Sequence, residues 1–113
     1  MRYEKIEALR QALRRCPERS DQEYQTIEKL QLFLRENTTL ELHAKTGWFY
    51  ALHREAHAPQ TIAVRADMDA IENSHGQLFH GCGHDGHSAI LAGLGLALEG
   101  KTLGKNVCLV FQP

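Results

Sequence analysis

Secretion, membrane insertion and nucleic-acid binding each find little support in this chain of 113 residues. Its three cysteines, Cys16, Cys82 and Cys108, stand at unpatterned spacing, which excludes a disulfide framework, and their odd number suits a reducing, cytoplasmic compartment. Net charge is nearly absent: 13 Lys and Arg against 14 Asp and Glu leave −1, too little to draw a nucleic acid or an anionic membrane surface. Long hydrophobic runs are missing too, the longest nearly apolar stretch (residues 89–98) being about half of the roughly 20 residues a membrane-spanning helix needs. The opening MRYEKIEALRQALRR is charged and amphipathic, with neither an apolar core nor a small-residue cleavage site, so it does not read as a secretory signal. No internal repeat or low-complexity segment interrupts the chain, and its length supports one domain.

What the chain does hold is concentrated in residues 79–87, FHGCGHDGH, where three histidines, a cysteine and an aspartate alternate with glycines ahead of an apolar segment. Thiolate, imidazole and carboxylate are the ligands of zinc and similar ions, and Cys82 and His84, two positions apart, project to the same side of an extended backbone. The glycines let such a loop wrap closely around an ion. The same composition also suits a solvated polar loop, and one cysteine among several histidines is not a zinc-finger pattern.

Around this loop the hydrophobic pattern predicts an α/β arrangement. Ile6, Leu9 and Leu13 recur at helical spacing up to a stop before Pro17. Ser20 and Glu23 form a capping-box pattern for a second helix whose apolar stripe is Tyr24, Ile27, Leu30 and Leu34, with Phe33 beside it. Both helices are expected to cover a sheet. Residues 39–44 and 48–52, joined through Thr46 and Gly47, predict a β-hairpin, with His43 and His53 in structural or solvated positions. Residues 55–60 read as a surface loop carrying His57.

A buried strand is expected from Thr61 through Val64, running on to Asp69, so that Asp67 and Asp69 share one face at its carboxyl end, where open α/β sheets bind ligands. Alternatively the aspartates cap the following turn. From Ser88 the sequence SAILAGLGLALEG predicts a helix buried nearly all round, in which Gly93 and Gly95 each cost roughly 1 kcal/mol of helix propensity that tertiary packing must offset. VCLVF (107–111), with Cys108 as core filling, reads as a central parallel strand, which completes a βαβ unit.

Four segments in this order, LRRCPERSDQEYQT, TIAVRADMDAI, HGCGHDGHSAILAG and NVCLVFQP, resemble the amidohydrolase branch of the aminoacylase and carboxypeptidase metallopeptidases, which includes hippurate hydrolases and N-acetyldiaminopimelate deacetylases. The first segment departs from the family, which usually has histidine where Arg14 stands and leucine and glycine where Arg19 and Ser20 stand. The resemblance covers the front portion of the family's length, and where the family pattern continues FQPAEE this sequence ends at Pro113.

The resemblance implies part of a zinc-peptidase-like α/β catalytic domain over residues 1–113, built of two N-terminal helices, a β-hairpin and a βαβ unit of a mixed sheet, without the family's lid and dimerisation domain. It also implies a site for two divalent metal ions, zinc or manganese, that hydrolyses the amide bond of small N-acyl amino acids. By the same resemblance Cys82 and His84 match the metal ligands, and Asp69 is the carboxylate that orients an imidazole behind the ion. Asp67, His80, Asp85 and His87 lie in the matched motifs with roles left open, and His75, on the shortened IENSHGQLF connection, reads as solvated. The two glutamates that follow Gln-Pro in the family are not among these residues, so the isolated chain is expected to be inactive. Two alternatives stay open: a non-catalytic assembly module that covers the apolar strand Val107 to Phe111 by homo-oligomerisation, and a small structural zinc site made of His80, Cys82, His84 and His87.

Overall fold

The structure, a computed structural model, describes residues 2–113. Helix α1 (Arg2–Arg14) and helix α2 (Tyr24–Asn37) precede a hairpin of β1 (Glu41–Ala44) and β2 (Phe49–His53). Strand β3 (Thr61–Asp67), a two-stranded ribbon of β4 (Ile71–Glu72) and β5 (Leu78–Phe79), helix α3 (His84–Leu98) and strand β6 (Asn106–Gln112) complete the chain. The main sheet runs β1-β2-β6-β3; β6 lies antiparallel to β2 and parallel to β3, so β3, α3 and β6 form the expected βαβ unit within a mixed sheet.

One face of the sheet and the helices enclose the core. Phe49, Ala51, Val107, Leu109 and Phe111 alternate inward along β2 and β6 and meet Leu9, Leu13, Leu30 and Leu34 from α1 and α2. Phe49 and Phe111 are register partners whose rings stack at 4.6 Å with 6° between planes, a geometry that adds about 0.5–1.5 kcal/mol to burial. Cys108 falls on the opposite, half-buried face rather than in the core, because strand side chains alternate. The glycines of α3 are packing positions: a Cβ at Gly93 would meet Ile6 Cδ1 at 2.8 Å, and one at Gly95 would meet Leu40 and Leu34 at 3.1 and 3.2 Å.

Several expectations need correction. The Ser20/Glu23 capping box does not form; α2 starts at Tyr24, and Glu18 caps it by accepting from the Gln25 and Thr26 amides at 3.1 and 2.7 Å. A carboxylate placed by the preceding loop reaches those free N–H groups at the helix start. In α2, Thr26 is buried while Tyr24 is exposed. Strand β3 is an edge strand, exposed from Thr61 to Arg65, because β6 rather than β3 takes the central place. The β4–β5 ribbon, closed around Asn73 and Gln77, forms where only a connection was expected. Helix α3 begins at His84 instead of Ser88, so part of the glycine-rich loop is helical, and Ile90 on its outer side is 69% exposed.

Candidate metal centre

Main-chain hydrogen bonds hold the turn at the carboxyl end of β3. The Met68 amide donates to the Gln112 carbonyl at 2.8 Å and the Ala70 amide to the Glu18 carbonyl at 2.7 Å, which pins the aspartates on either side of the buried Met68. Gly83 turns the chain into α3 with φ of 77°, a left-handed angle that glycine adopts without a Cβ penalty. Ser88 Oγ, one turn into α3, donates to the Asp67 carbonyl at 3.0 Å and ties helix to strand.

His84, the first residue of α3, is the centre of this arrangement. Its Nδ1 lies 2.9 Å from both the carboxylate Oδ1 and the main-chain oxygen of Asp69. Both are acceptors, so Nδ1 donates to Asp69, and Nε2 is the ring nitrogen turned away from it. That nitrogen sits 4.0 Å from Asp67 Oδ2, so both aspartates face His84 although β3 itself ends at Asp67. The Asp67 carboxylate also pairs with the Arg65 guanidinium at 3.1 Å. Cys82 stands in the same turn as a free, exposed thiol.

Asp85 and His80 have other partners. Asp85 is 2% exposed and accepts from the Arg10 and Arg14 guanidinium groups at 3.4 and 3.2 Å, which fastens α1 to the first turn of α3. Burial pushes its carboxyl upward, but the Gly86 amide, Arg14 and His80 outweigh that and hold it below the usual range. His80 is buried with both ring nitrogens outside hydrogen-bond geometry; burial lowers its pKa, opposed by Asp85 and the Leu13 backbone, with His84 and Arg14 adding to the fall. His87 is exposed, its ring 5.6 Å from that of His84.

The donor chemistry at this corner fits a divalent ion in part. An imidazole with a bare Nε2, held from behind by a carboxylate, next to a thiol in the same turn, is how protein ligands are prepared for zinc or a similar metal. Yet among the described residues no three His, Cys, Asp or Glu side chains are grouped to hold an ion alone. This counts against a self-contained site of His80, Cys82, His84 and His87, since His80 is turned into the interior. An open groove of about 350 Å³ between β3 and α3, lined in part by Val64, Asp67, His87 and Ile90, adjoins the corner.

Arg10 contributes to this corner through Asp85 without any signal in the local pattern. The other histidines stand apart from it: His43 stacks on Tyr50 at 4.6 Å, His53 bonds to Glu55, and His75 is exposed in the β4–β5 turn. His57 is exposed in the loop before β3 with φ of 62°. No described helix is long and apolar enough to cross a membrane.

No protein-family model matches the chain. It is similar to N-acetyl-L-cysteine deacetylase of Bacillus subtilis, with 32% identity over 93% of this chain and 28% of that protein. N-acetyldiaminopimelate deacetylase of Streptococcus uberis is 31% identical over 94% of this chain and 32% of its own length. Among solved structures, a dinuclear metal-binding peptidase of the M20 family from Bacillus subtilis superposes with a TM-score of 0.88 and 28% identity, covering 99% of this chain and 35% of that one. A structure from methicillin-resistant Staphylococcus aureus shares the fold, with a TM-score of 0.79 at 24% identity over 96% of this chain and 32% of that one. The chain therefore spans about a third of the length of the proteins it matches.

Proposed function

From the premise that this chain is a homologue of the M20-type amidohydrolases over nearly all of its own length, we propose that it forms one wall of a metal-dependent amidohydrolase site. The observation that carries this reading is the His84 ring, fixed through Nδ1 by Asp69 with Nε2 left bare. In this reading Cys82 and His84 are metal ligands, Asp69 is the orienting carboxylate, and residues 1–113 belong to a single catalytic domain. Two ions of zinc or manganese are held in the complete site, the substrate is a small N-acyl amino acid, and the compartment is the cytoplasm.

A bound divalent ion brings the pKa of water toward neutrality and polarises an amide carbonyl, which is the chemistry amide hydrolysis needs. The residues of this chain prepare for it. Asp69 keeps the proton of His84 on Nδ1 and turns the ring so that Nε2 presents its lone pair. Ser88 holds the end of β3 against α3, and Asp85, clamped by Arg10 and Arg14, keeps the first turn of α3 from shifting. A proton-shuttling carboxylate, the remaining ligands and a donor for the oxyanion come from elsewhere in this reading, so the isolated 113 residues do not turn over substrate.

Hydrolysis of N-acetyl and N-benzoyl amino acids, measured with added zinc or manganese, tests the proposal. The 113-residue chain should show none. A polypeptide carrying the whole site should be active and lose turnover on Cys82→Ala or His84→Ala; activity indifferent to both substitutions would sink the reading. One observation favours a second, non-catalytic reading as an assembly module. The strand expected to need cover, Val107 to Phe111, is flanked by β2 and β3, but Ile62 and Val64 on the edge strand β3 are 47% and 38% exposed, and an uncovered edge of that kind recruits another strand. A defined homo-oligomer of the 113-residue chain would support it.

A further inference from the structure

One face of α2 carries charge and apolar surface that the proposed chemistry does not use. Thr26, Leu30 and Leu34 turn the helix into the core, while Lys29, Leu32, Phe33 and Glu36, at spacings of three, four and seven, share another face. Leu32 is 51% exposed in the middle of that face, and Phe33 is only partly buried against the core. These four residues border a groove of about 480 Å³ between α1 and α2, which Ala8 and Ala12 of α1 line with small side chains. Lys5 donates to Asn37 Oδ1 at 2.9 Å and holds the two helices together at one end of it.

Charge decides what fits this groove. Lys29 and Glu36 stand about two helical turns apart, on either side of Leu32 and Phe33. No hydrogen bond or ion pair among the described residues engages either side chain. A partner charged with one sign would be attracted at one end of the face and repelled at the other. A copy of the same helix running the opposite way satisfies both ends, because a two-fold axis between Leu32 and Phe33 brings each Lys29 to the Glu36 of the other copy. A parallel copy would set like charges against each other.

We propose that this face of α2 binds a second copy of the chain, antiparallel, with Leu32 of each copy entering the other's groove beside Ala8 and Ala12. Two Lys29–Glu36 pairs then close the rim and fix the register. One helix and one groove from each copy make a small interface, so the dimer is a weak one that forms at high concentration. The face is separate from the metal centre and from the β3 edge.

Sedimentation velocity of the 113-residue chain tests this, in a concentration series reaching about 1 mM, the weak end of specific association. Every sample carries Val64→Lys, which blunts the β3 edge and leaves the helical face to account for what association remains. A dimer should form. Lys29→Glu alone and Glu36→Lys alone should each weaken it by about 10-fold or more. An equimolar mixture of those two chains should restore it, because every acid on the face of one chain then meets a base on the other. A chain that stays monomeric throughout the series would overturn the proposal, as would a dimer indifferent to the single reversals or a mixture that fails to recover. Should a reversal fail to fold, the amide shifts of the Val64→Lys chain on dilution decide: changes gathered at Ala8, Ala12, Leu32 and Phe33 support the proposal, and changes confined elsewhere sink it. No metal or substrate is added, so failure here is separate from failure of the hydrolase reading, which the loss of turnover on His84→Ala decides.

Discussion

Two carboxylate–histidine pairs stand at opposite ends of the main sheet and do different things. At the end where β6 begins, His53 pairs in register with Val107, and its Nε2 lies 2.5 Å from Glu55 Oε2. Glu55 also accepts from the Leu103 and Gly104 amides at 2.7 and 2.8 Å, and its own amide donates to Asn106 Oδ1 at 2.7 Å. Both carboxyl oxygens are thereby committed to closing the loop before β6. At the end where β6 finishes, Asp67 pairs in register with Gln112, and Asp69 holds one nitrogen of His84 while the other stays bare. The same two chemical groups, carboxylate and imidazole, make a clamp where the backbone occupies the acceptors, and at the other end leave one ring nitrogen without a hydrogen bond. The second pair lies at the carboxyl end of the parallel strand, the usual place for ligands in α/β sheets.

The contrast is most easily broken at the histidines. In a polypeptide carrying the whole site, His84→Ala should reduce metal-dependent turnover by more than about 100-fold, beyond the 10–100-fold typical of losing a residue behind a ligand. Its thermal midpoint should move little, whereas His53→Ala should keep activity and unfold at lower temperature. If the two exchange these effects in paired turnover and melting measurements, the roles are reversed. Next in size, Asp69→Asn should weaken metal binding by about 10–100-fold in a chelator competition titration, and Glu55→Gln should leave it unchanged.

A pH series sharpens the clamp end. The Leu103 amide, His53 and the Gly104 amide hold the carboxyl of Glu55 below its ordinary pKa against a smaller upward push from burial. With the folded value below the unfolded one, its contribution is complete above the unfolded pKa of about 4.3 and is lost as pH falls through the folded value. Melting curves should therefore shift down on acidification below about pH 5, and Glu55→Gln should flatten part of that limb. Asp85 has the same sign and should account for some of what remains. Glu23, whose pKa is raised, acts in the opposite sense: its contribution is present below the unfolded value and is lost as pH rises, so Glu23→Gln should not destabilise the chain at neutral pH. The smallest effect belongs to the β3 edge. Val64→Lys should reduce any self-association seen by sedimentation and change stability by no more than about 0.5 kcal/mol.

Legibility in the sequence followed the range of the interactions. Helix α1, the β1–β2 hairpin and the βαβ unit were readable because periodicity and turn residues act over a few positions. The start of α3 was misplaced because HGCGHDGH carries a strong chemical pattern and a weak helical one, and only Gly83 marks the boundary. The β4–β5 ribbon rests on strands of two residues each, too short for alternation to show. Spacing gives the cap of α2 to Ser20 and Glu23, whereas Glu18 reaches the helix start from the docked loop. The edge position of Thr61–Asp67 was hidden, since Ile62, Ala63 and Val64 also suit a buried strand, whereas the continuous apolar character of VCLVF pointed to the central place it takes.

The sequence by itself determined which donor side chains residues 79–87 carry, the spacing of Cys82 and His84, the order of the main elements and the kinship with amidohydrolases, because all of these are written in adjacent residues. Only the tertiary structure decided which nitrogen of His84 Asp69 holds, that Arg10 and Arg14 reach Asp85 from 75 and 71 positions away, and that Glu23 is buried. These depend on where packing brings distant side chains together, and a hydrogen bond effective only within about 3 Å has no trace in a pattern of nearest neighbours.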